Sequence, residues 1–238
     1  AMTVSFKIGR TGGKKYIIRD IESFVRSIEH EEEITYGKNL TFVHTADAFT
    51  EQSKPLISML SRIVSVGDTL YLRGWMQSYA PSLRRELTLR DTLLDDFIRA
   101  VEGTGIYGGD RYVKYLYTIR DGMPDIQITL RKCSGGYTLS SLPFTLFRGR
   151  EYLYFICSGE NAIIRSPLKD STVTALMENL SEAAGTPQFL AESDLEAFAS
   201  KIYVRANTFV PVSSPDFPIE IYLPEKPSFE IYLDLPQN

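Results

Sequence analysis

Apolar and polar residues alternate along the first nineteen positions, which is the period of a β-strand with one buried face. Val4, Phe6 and Ile8 fall on one side of this pattern, and the turn signal Thr11–Gly13 follows them. Because Gly-rich turns between alternating segments are typical of hairpins, we predict two antiparallel strands here. Helical spacing begins after Asp20, a residue type that is common at helix N-caps.

The remainder of the chain changes repeatedly between helical and strand spacing. The helical segments are 48–66, 91–102, 171–184 and 193–204, and the strand segments are 34–43, 71–72, 87–89 and 112–165. Pro55 fits only the first turn of its helix, whose start we therefore place near 52–53, and Pro81 indicates a break. Asp91 is predicted to cap the second of these helices, and Ser193 with Glu196 predicts a capping box on the last. The strands of 112–165 are short and separated by turns, which predicts an antiparallel meander.

These patterns predict an α+β fold, in which an antiparallel strand meander is flanked by helices and no parallel doubly wound sheet occurs. We expect three stretches: an N-terminal α+β part over 1–105, an antiparallel sheet plus two helices over 106–210, and an extended connector over 211–238. The connector is rich in proline and leads toward a missing downstream domain. Its apolar patches, Ile219–Leu223 and Phe229–Leu233, are predicted to be neighbouring short strands.

Composition narrows the class of protein. Of 238 residues, 43% are hydrophobic and 24% charged, which excludes a disordered or fibrous chain. The net charge of −4 argues against a wholly basic nucleic-acid-binding domain, but leaves a local basic face open. Two cysteines are too few for a disulfide framework, and we expect both to be buried thiols. No apolar run has membrane-spanning length, so we predict a cytoplasmic protein without a membrane partner.

No motif in the sequence predicts a catalytic site. The segment Gly9–Lys15 resembles a phosphate-binding loop, but it lacks the Ser or Thr that holds magnesium and precedes a strand, so it predicts a hairpin turn. A zinc site needs about four closely spaced Cys or His ligands, and this chain has two of each. Asp95 and Asp96 point in different directions on a helix, which predicts a solvated helix face. We therefore expect no metal, no cofactor and no catalytic residue.

Basic residues are concentrated in three parts of the chain: residues 1–19, the stretch with Arg84, Arg85 and Arg90, and residues 111–150. The first nineteen residues contain five cations and no acid, and later basic strands contain tyrosines such as Tyr112, Tyr115 and Tyr137. Basic strands with aromatic residues can hold a nucleic-acid backbone and stack its bases, although an ordinary solvated surface has the same composition. The candidate nucleic-acid-binding residues are Lys7, Arg10, Lys14, Lys15, Arg84, Arg85, Arg131 and Lys132.

The order of several segments resembles a known family. These segments are Leu40–Phe42 followed by Ala48–Lys54, then Tyr152–Phe155, the helix that ends near Leu180, Phe189–Leu195 and Phe229–Asp234. Together they are similar to the bacterial SNF-two helicase-associated domain, which lies between a zinc-finger region and the ATPase motor of bacterial Swi/Snf-type proteins. The resemblance covers nearly the whole chain and rests on the order of the segments. It implies a role in a DNA-dependent ATPase, with ATP hydrolysis in the motor.

Three functional hypotheses follow. The first is a non-catalytic accessory module of a Swi/Snf-type ATPase or helicase, which positions DNA or regulates the motor domain of the same polypeptide. The second is a protein–protein interaction scaffold without nucleic-acid contact. The third is a small-molecule enzyme that uses His44 with Asp47, which requires a deep pocket at His44.

Overall fold

A computed structural model describes residues 1–72, 84–109, 114–157, 159–168 and 170–223. The chain is α+β with mostly antiparallel sheets, as predicted. It divides into two compact units, of which unit 1 comprises Ala1–Pro124 and Phe144–Lys169, and unit 2 comprises Asp125–Pro143 and Asp170–Asn238. Each unit is discontinuous in sequence, and the expected stretches 1–105, 106–210 and 211–238 stay a prediction. Within the described ranges no helix is both long and apolar enough to cross a bilayer.

In its described residues, unit 1 combines three two-stranded ladders, three α-helices and a five-stranded sheet. Its helices are α1 (Ile21–Glu29), α2 (Lys54–Leu72) and α3 (Asp91–Ala100). The ladders pair β1 (Met2–Ser5) with β6 (Glu86–Leu89), β2 (Lys7–Ile8) with β3 (Tyr16–Ile17), and β4 (Glu33–Tyr36) with β5 (Leu40–Val43). The sheet has the order β11–β12–β13–β8–β7, with β7 Ile106–Gly109, β8 Lys114–Asp121, β11 Phe144–Arg148, β12 Tyr152–Cys157 and β13 Ala162–Pro167.

Unit 2 is a four-stranded sheet with helical segments. The sheet has the order β14–β10–β9–β15, with β9 Ile128–Cys133, β10 Gly136–Ser141, β14 Gln188–Ala191 and β15 Val212–Ser213. Helix α4 spans Ser171–Ala183, and a second helical stretch consists of α5 (Leu195–Phe198), a π-helical turn (Ala199–Tyr203) and α6 (Val204–Ala206). The first helix begins as its sequence predicts, because Asp170 accepts hydrogen bonds from the backbone amides of Thr172 and Val173.

In the core of unit 1, residues of its helices pack with residues of the β1–β6 ladder and of the five-stranded sheet. The fully buried side chains include Ile21 and Val25 of α1, Leu87 and Leu89 of β6, and Ile98 of α3. The helical residues among them lie in the segment after Asp20 and in the segment 91–102, both of which were predicted to be helical. Asp20 accepts a hydrogen bond from the Ser23 amide at 2.7 Å and caps α1 as expected.

The strands of 112–165 differ from the expected single meander. β8 pairs with β13 in parallel, and β9 with β10 lies in the sheet of unit 2. The strands therefore divide between two sheets, because the chain leaves unit 1 after Pro124 and returns at Phe144. A turn signal in the sequence predicts where a strand ends, but it does not predict which sheet the next strand joins. The division of these strands between two sheets was therefore not predicted.

Several smaller expectations were also wrong. Tyr71 and Leu72 end a helix instead of forming a strand. Asp91 is the first residue of α3 and has a positive φ of 48°, and Ser193 makes no capping hydrogen bond. Cys157 is buried as expected, whereas Cys133 is partly exposed.

The region expected to be a connector packs within unit 2 as far as it is described. Val212 and Ile219 are buried, β15 pairs with β9 in parallel, and Ile219–Tyr222 forms a 3₁₀ turn instead of a strand. The predicted break at Pro81, the start of the strand at Tyr112 and the patch Phe229–Leu233 lie outside the described residues.

Asp95 and Asp96 diverge as predicted, but Asp95 is buried instead of solvated. Its carboxylate accepts hydrogen bonds from the amides of Arg150 and Glu151, each at 2.8 Å, and from the Tyr154 hydroxyl at 2.7 Å. Burial is the main cause that raises the pKa of Tyr154, which keeps this hydroxyl a donor. Asp95 thus holds the turn between β11 and β12 against α3, a role that requires a partner 55 residues away.

Candidate nucleic-acid interface

The turn between β2 and β3 is the most basic feature of unit 1. The Gly13 amide donates a hydrogen bond to the Arg10 carbonyl at 3.0 Å, which closes a four-residue turn. Gly12 has a φ of 69°, a left-handed conformation that favours glycine. A strand follows the turn, so the segment Gly9–Lys15 is a hairpin and not a nucleotide-binding loop, as the sequence predicted.

The Lys15 side chain stabilises the turn of this hairpin. Its ammonium donates hydrogen bonds to the carbonyls of Gly9 at 3.0 Å and Arg10 at 2.7 Å. Gly9 fits here because a Cβ at this position would stand 2.2 Å from the Lys14 carbonyl oxygen. Lys15 was predicted to be a nucleic-acid ligand, but its donors are already directed at the backbone of its own turn.

Three other cations of the hairpin form no side-chain hydrogen bond to the backbone within the described residues. Lys7, Arg10 and Lys14 are exposed, and none of their side chains has a carboxylate within ion-pair distance in the described part of the chain. The Lys14 ammonium lies 5.4 Å from the centroid of the Tyr16 ring, a cation–π contact.

Arg84 and Arg85 lie at the same end of the β1–β6 ladder as the hairpin. β6 begins at Glu86 opposite Ser5, so the chain enters β6 where β1 continues toward Lys7. The Arg84 carbonyl accepts a hydrogen bond from the Ile21 amide at 2.9 Å, which ties this segment to the start of α1. Six of the candidate residues belong to unit 1, and we name this set the basic end: Lys7, Arg10, Lys14, Lys15, Arg84 and Arg85.

Arg131 and Lys132 belong to unit 2 and have an acidic partner. An Asp216 carboxylate oxygen lies 3.7 Å from the Arg131 guanidinium, and the other accepts a hydrogen bond from the Lys132 amide at 3.0 Å. Their register opposite Tyr137 and Thr138 in β10 places them on an exposed strand segment. The charge of this pair is thus partly neutralised by the chain itself.

Aromatic rings of the basic strands are less available for base stacking than predicted. Tyr137 is only 3% exposed and packs on Phe217 with ring centroids 4.7 Å apart, and burial raises the pKa of its hydroxyl. Tyr115 is exposed and contacts Tyr117, while Tyr112 lies outside the described residues. Stacking by Tyr137 is therefore excluded in this conformation.

One cation near the β2–β3 hairpin is not among the residues predicted from the sequence. Lys38 is exposed in the turn between β4 and β5, and the preceding Gly37 lies against the Tyr16 ring of β3. A Cβ at Gly37 would stand 2.4 Å from that ring. In sequence, an isolated lysine that follows the acidic residues Glu31–Glu33 gives no signal that it will lie near another basic turn.

His44 is the centre of a buried hydrogen-bond network. Ser27 Oγ lies 2.6 Å from His44 Nδ1 and donates its own proton to the Phe24 carbonyl, so it accepts from Nδ1–H. The Tyr36 hydroxyl lies 3.1 Å from Nε2 and donates to it. With the proton on Nδ1, this arrangement satisfies both nitrogens of the neutral imidazole.

The environment of His44 favours the same neutral form. Desolvation lowers the pKa of His44, against a smaller opposing effect of Glu32, and burial raises the pKa of Tyr36 to about 12. The rings of Phe24, Phe42 and Phe49 surround the imidazole at centroid distances of 4.7 to 5.8 Å. Neither ring nitrogen bonds to Asp47, whose carboxylate instead faces Lys54, so the His44–Asp47 pair required by the enzyme hypothesis is not formed.

Among the described residues, no group of three or more His, Cys, Asp or Glu side chains is arranged to hold a metal ion. The cavity in unit 2 bordered by Val212–Pro218 and Glu220 is a shallow surface depression, about 550 Å³ in volume.

Comparison with known proteins gives no assignment, because no family model, no curated protein and no solved structure matches the chain.

Proposed function

We propose that this chain is a non-catalytic accessory module of a Swi/Snf-type DNA-dependent ATPase, and that it contacts DNA beside the motor domain of the same polypeptide in the cytoplasm. The observation that carries the proposal is the basic end of unit 1. Its cations Lys7, Arg10 and Lys14 have no carboxylate partner in the described residues. Lys and Arg in such a state release counterions from DNA when they contact its phosphates.

The net charge of −4 is compatible with this role because Lys7, Arg10 and Lys14 form no ion pair with an acid in the described residues. Glu22, Asp96 and Glu102 are each paired with arginines of helices or strands outside the basic end. A polyanion would therefore be attracted to one region and repelled by others, which fixes the orientation in which the module approaches DNA.

His44, the residue of the enzyme hypothesis, is not open to a substrate in this conformation. Its side chain is 0% exposed and both ring nitrogens already have partners, so a substrate cannot reach it. In this proposal ATP hydrolysis is the task of the motor, and the module positions the nucleic acid or regulates the motor by docking on it.

The direct test is binding of the full chain to a fluorescently labelled DNA duplex over a series of salt concentrations. We expect the logarithm of the association constant to fall linearly with the logarithm of salt, with a slope of about −0.9 for each phosphate contacted. Absence of binding at low salt would contradict direct DNA contact and leave only docking on the motor.

A protein–protein scaffold is the second candidate, and an exposed apolar pair favours it. Tyr107 of the edge strand β7 is 72% exposed and lies opposite Leu116 of β8, which is 47% exposed. Edge strands with apolar side chains are common sites of strand addition by a partner. Co-purification of the chain with a separately expressed motor segment tests this candidate, and loss of the complex in Tyr107→Ser/Leu116→Ser with no DNA binding by the wild type would favour it.

A further inference from the structure

Two turns that are distant in sequence meet at one aromatic ring in unit 1. Tyr16 belongs to β3, opposite Ile8, and its ring is contacted on the second hairpin by Gly37 and by Tyr36 at a centroid distance of 6.4 Å. The Lys14 ammonium lies 5.4 Å from the centroid of the same ring. The turn of the β2–β3 hairpin and the turn Gly37–Asn39 are therefore neighbours.

Glycine at position 37 makes this approach possible. Its φ of 61° is a left-handed conformation, and any side chain would meet the Tyr16 ring. Lys38 follows directly and is exposed, and it has no carboxylate within ion-pair distance in the described part of the chain. The fold thus adds an unpaired cation to the basic end.

The acidic residues of this hairpin lie at its opposite end. Glu33 is the first residue of β4 and pairs with Val43, whereas Tyr36 is the last and pairs with Leu40 beside the turn. Three residues of strand separate Glu33 from Tyr36 by about 10 Å. This separation is about one Debye length at 0.1 M salt, so the acids weaken the potential at Lys38 only slightly.

We propose that Lys38 acts with Arg10 and Lys14 as a two-turn surface that binds the phosphodiester backbone of DNA, irrespective of base sequence. The inference rests on the proposed function and adds to it a residue and a class of contact. Readout of bases by stacking is not available from Tyr16, because Gly37 and Lys14 already occupy its ring. Point-charge contacts from lysine to phosphate position a duplex without reading its sequence.

The experiment measures DNA affinity and its salt dependence for the full chain and three variants. Lys38→Gln removes the charge, Lys38→Glu reverses it, and Lys201→Glu is a charge-matched control at an exposed lysine in the helical stretch of unit 2. At about 50 mM salt we expect Lys38→Gln to weaken binding about tenfold and to reduce the salt slope by about 0.9, with a larger loss for Lys38→Glu. Duplexes of unrelated sequence are expected to give equal affinities.

Each outcome decides between the inference and the proposed function. If the wild type binds DNA but Lys38→Glu behaves like Lys201→Glu, the two-turn surface is wrong while the accessory role survives. If the wild type binds no DNA, both the surface and direct DNA contact fail. Binding to vesicles of anionic phospholipid without binding to DNA would also overturn the inference, because it would assign the cations to a lipid surface.

Gly37 provides an independent test as a positioning residue. Gly37→Ala retains Arg10, Lys14 and Lys38 but places a Cβ against the Tyr16 ring. We expect a loss of affinity and a reduced salt slope in a variant that still unfolds cooperatively on heating. A variant with displaced turns but unchanged salt slope would show that the juxtaposition of the turns does not contribute to binding.

Discussion

The basic end of unit 1 and the Arg131–Lys132 pair of unit 2 have the same appearance in sequence and different electrostatics in the structure. Both are short runs of cations without neighbouring acids. In unit 1, Arg10 and Lys14 keep their charge available, whereas in unit 2 Asp216 approaches Arg131 from 85 residues away. We expect a basic run to become a binding surface only where the fold brings no acid to it.

Charge reversal at the hairpin gives the largest expected effect. Arg10→Glu/Lys14→Glu should weaken DNA binding about 100-fold at about 50 mM salt, because two phosphate contacts are replaced by repulsion. Fluorescence anisotropy with a labelled duplex measures it. Arg131→Glu/Lys132→Glu is the matched control, with an expected loss below about threefold because Arg131 is already paired. Equal losses in the two variants would remove the distinction between the clusters.

Loss of the Lys15 ammonium should have an intermediate effect for a different reason. Lys15→Met removes the hydrogen bonds to the Gly9 and Arg10 carbonyls and should weaken DNA binding about tenfold by loosening the turn. Faster hydrogen exchange of the Gly13 amide, which donates to Arg10, checks that the turn is affected. A loss of affinity with unchanged exchange would instead make Lys15 a direct phosphate ligand.

Removal of the acid in unit 2 should strengthen binding slightly. Asp216→Asn keeps an acceptor for the Lys132 amide but leaves the Arg131 charge without its partner. Because the ion pair is exposed and 3.7 Å long, we expect a gain in DNA affinity of only about threefold at low salt. An unchanged affinity would place the second cluster away from the bound DNA.

The pH dependence of stability tests the β4–β5 hairpin, because His44 forms hydrogen bonds to Ser27 and to Tyr36 of this hairpin. Burial lowers the pKa of His44, so below about pH 6.5 the unfolded chain binds more protons than the folded chain. Stability should therefore be complete above that pH and fall as the pH decreases, by at most about 1.4 kcal/mol for each pH unit.

Thermal unfolding of wild type and His44→Phe at pH 7.5 and 5.5 measures this dependence. The variant should be less stable at the higher pH, since Ser27 and Tyr36 lose their partner, but should lose less on acidification. Identical pH dependence in both proteins would contradict this prediction, because it would show that protonation of His44 does not lower the free energy of unfolding.

Much of the secondary structure could be predicted because its causes are local. The N-cap Asp20, the apolar stripe of α1 and the turn at Gly12 each depend on residues within one or two helical turns. The α+β class followed from the same periods. The π-helical turn Ala199–Tyr203 gave no such signal, because its apolar spacing is that of an ordinary α-helix.

The parts that sequence did not reveal depend on contacts between distant residues. The parallel pairing of β8 with β13, the burial of Asp95 under Arg150 and Glu151, and the approach of Asp216 to Arg131 join positions 40 or more residues apart. For the candidate site, nothing in the sequence indicated that Lys15 bonds to its own turn or that Asp216 approaches Arg131. The set of predicted residues also omitted Lys38, whose neighbourhood is acidic in sequence and basic in space.

Cross-linking of lysines to bound DNA, with the linked positions determined by mass spectrometry, measures most directly whether the unpaired basic end is the DNA-binding surface. The account predicts cross-links at Lys7, Lys14 and Lys38, with little reaction at Lys132 and Lys201. Cross-links concentrated at Lys132 or Lys201, with the basic end unreactive, would contradict it.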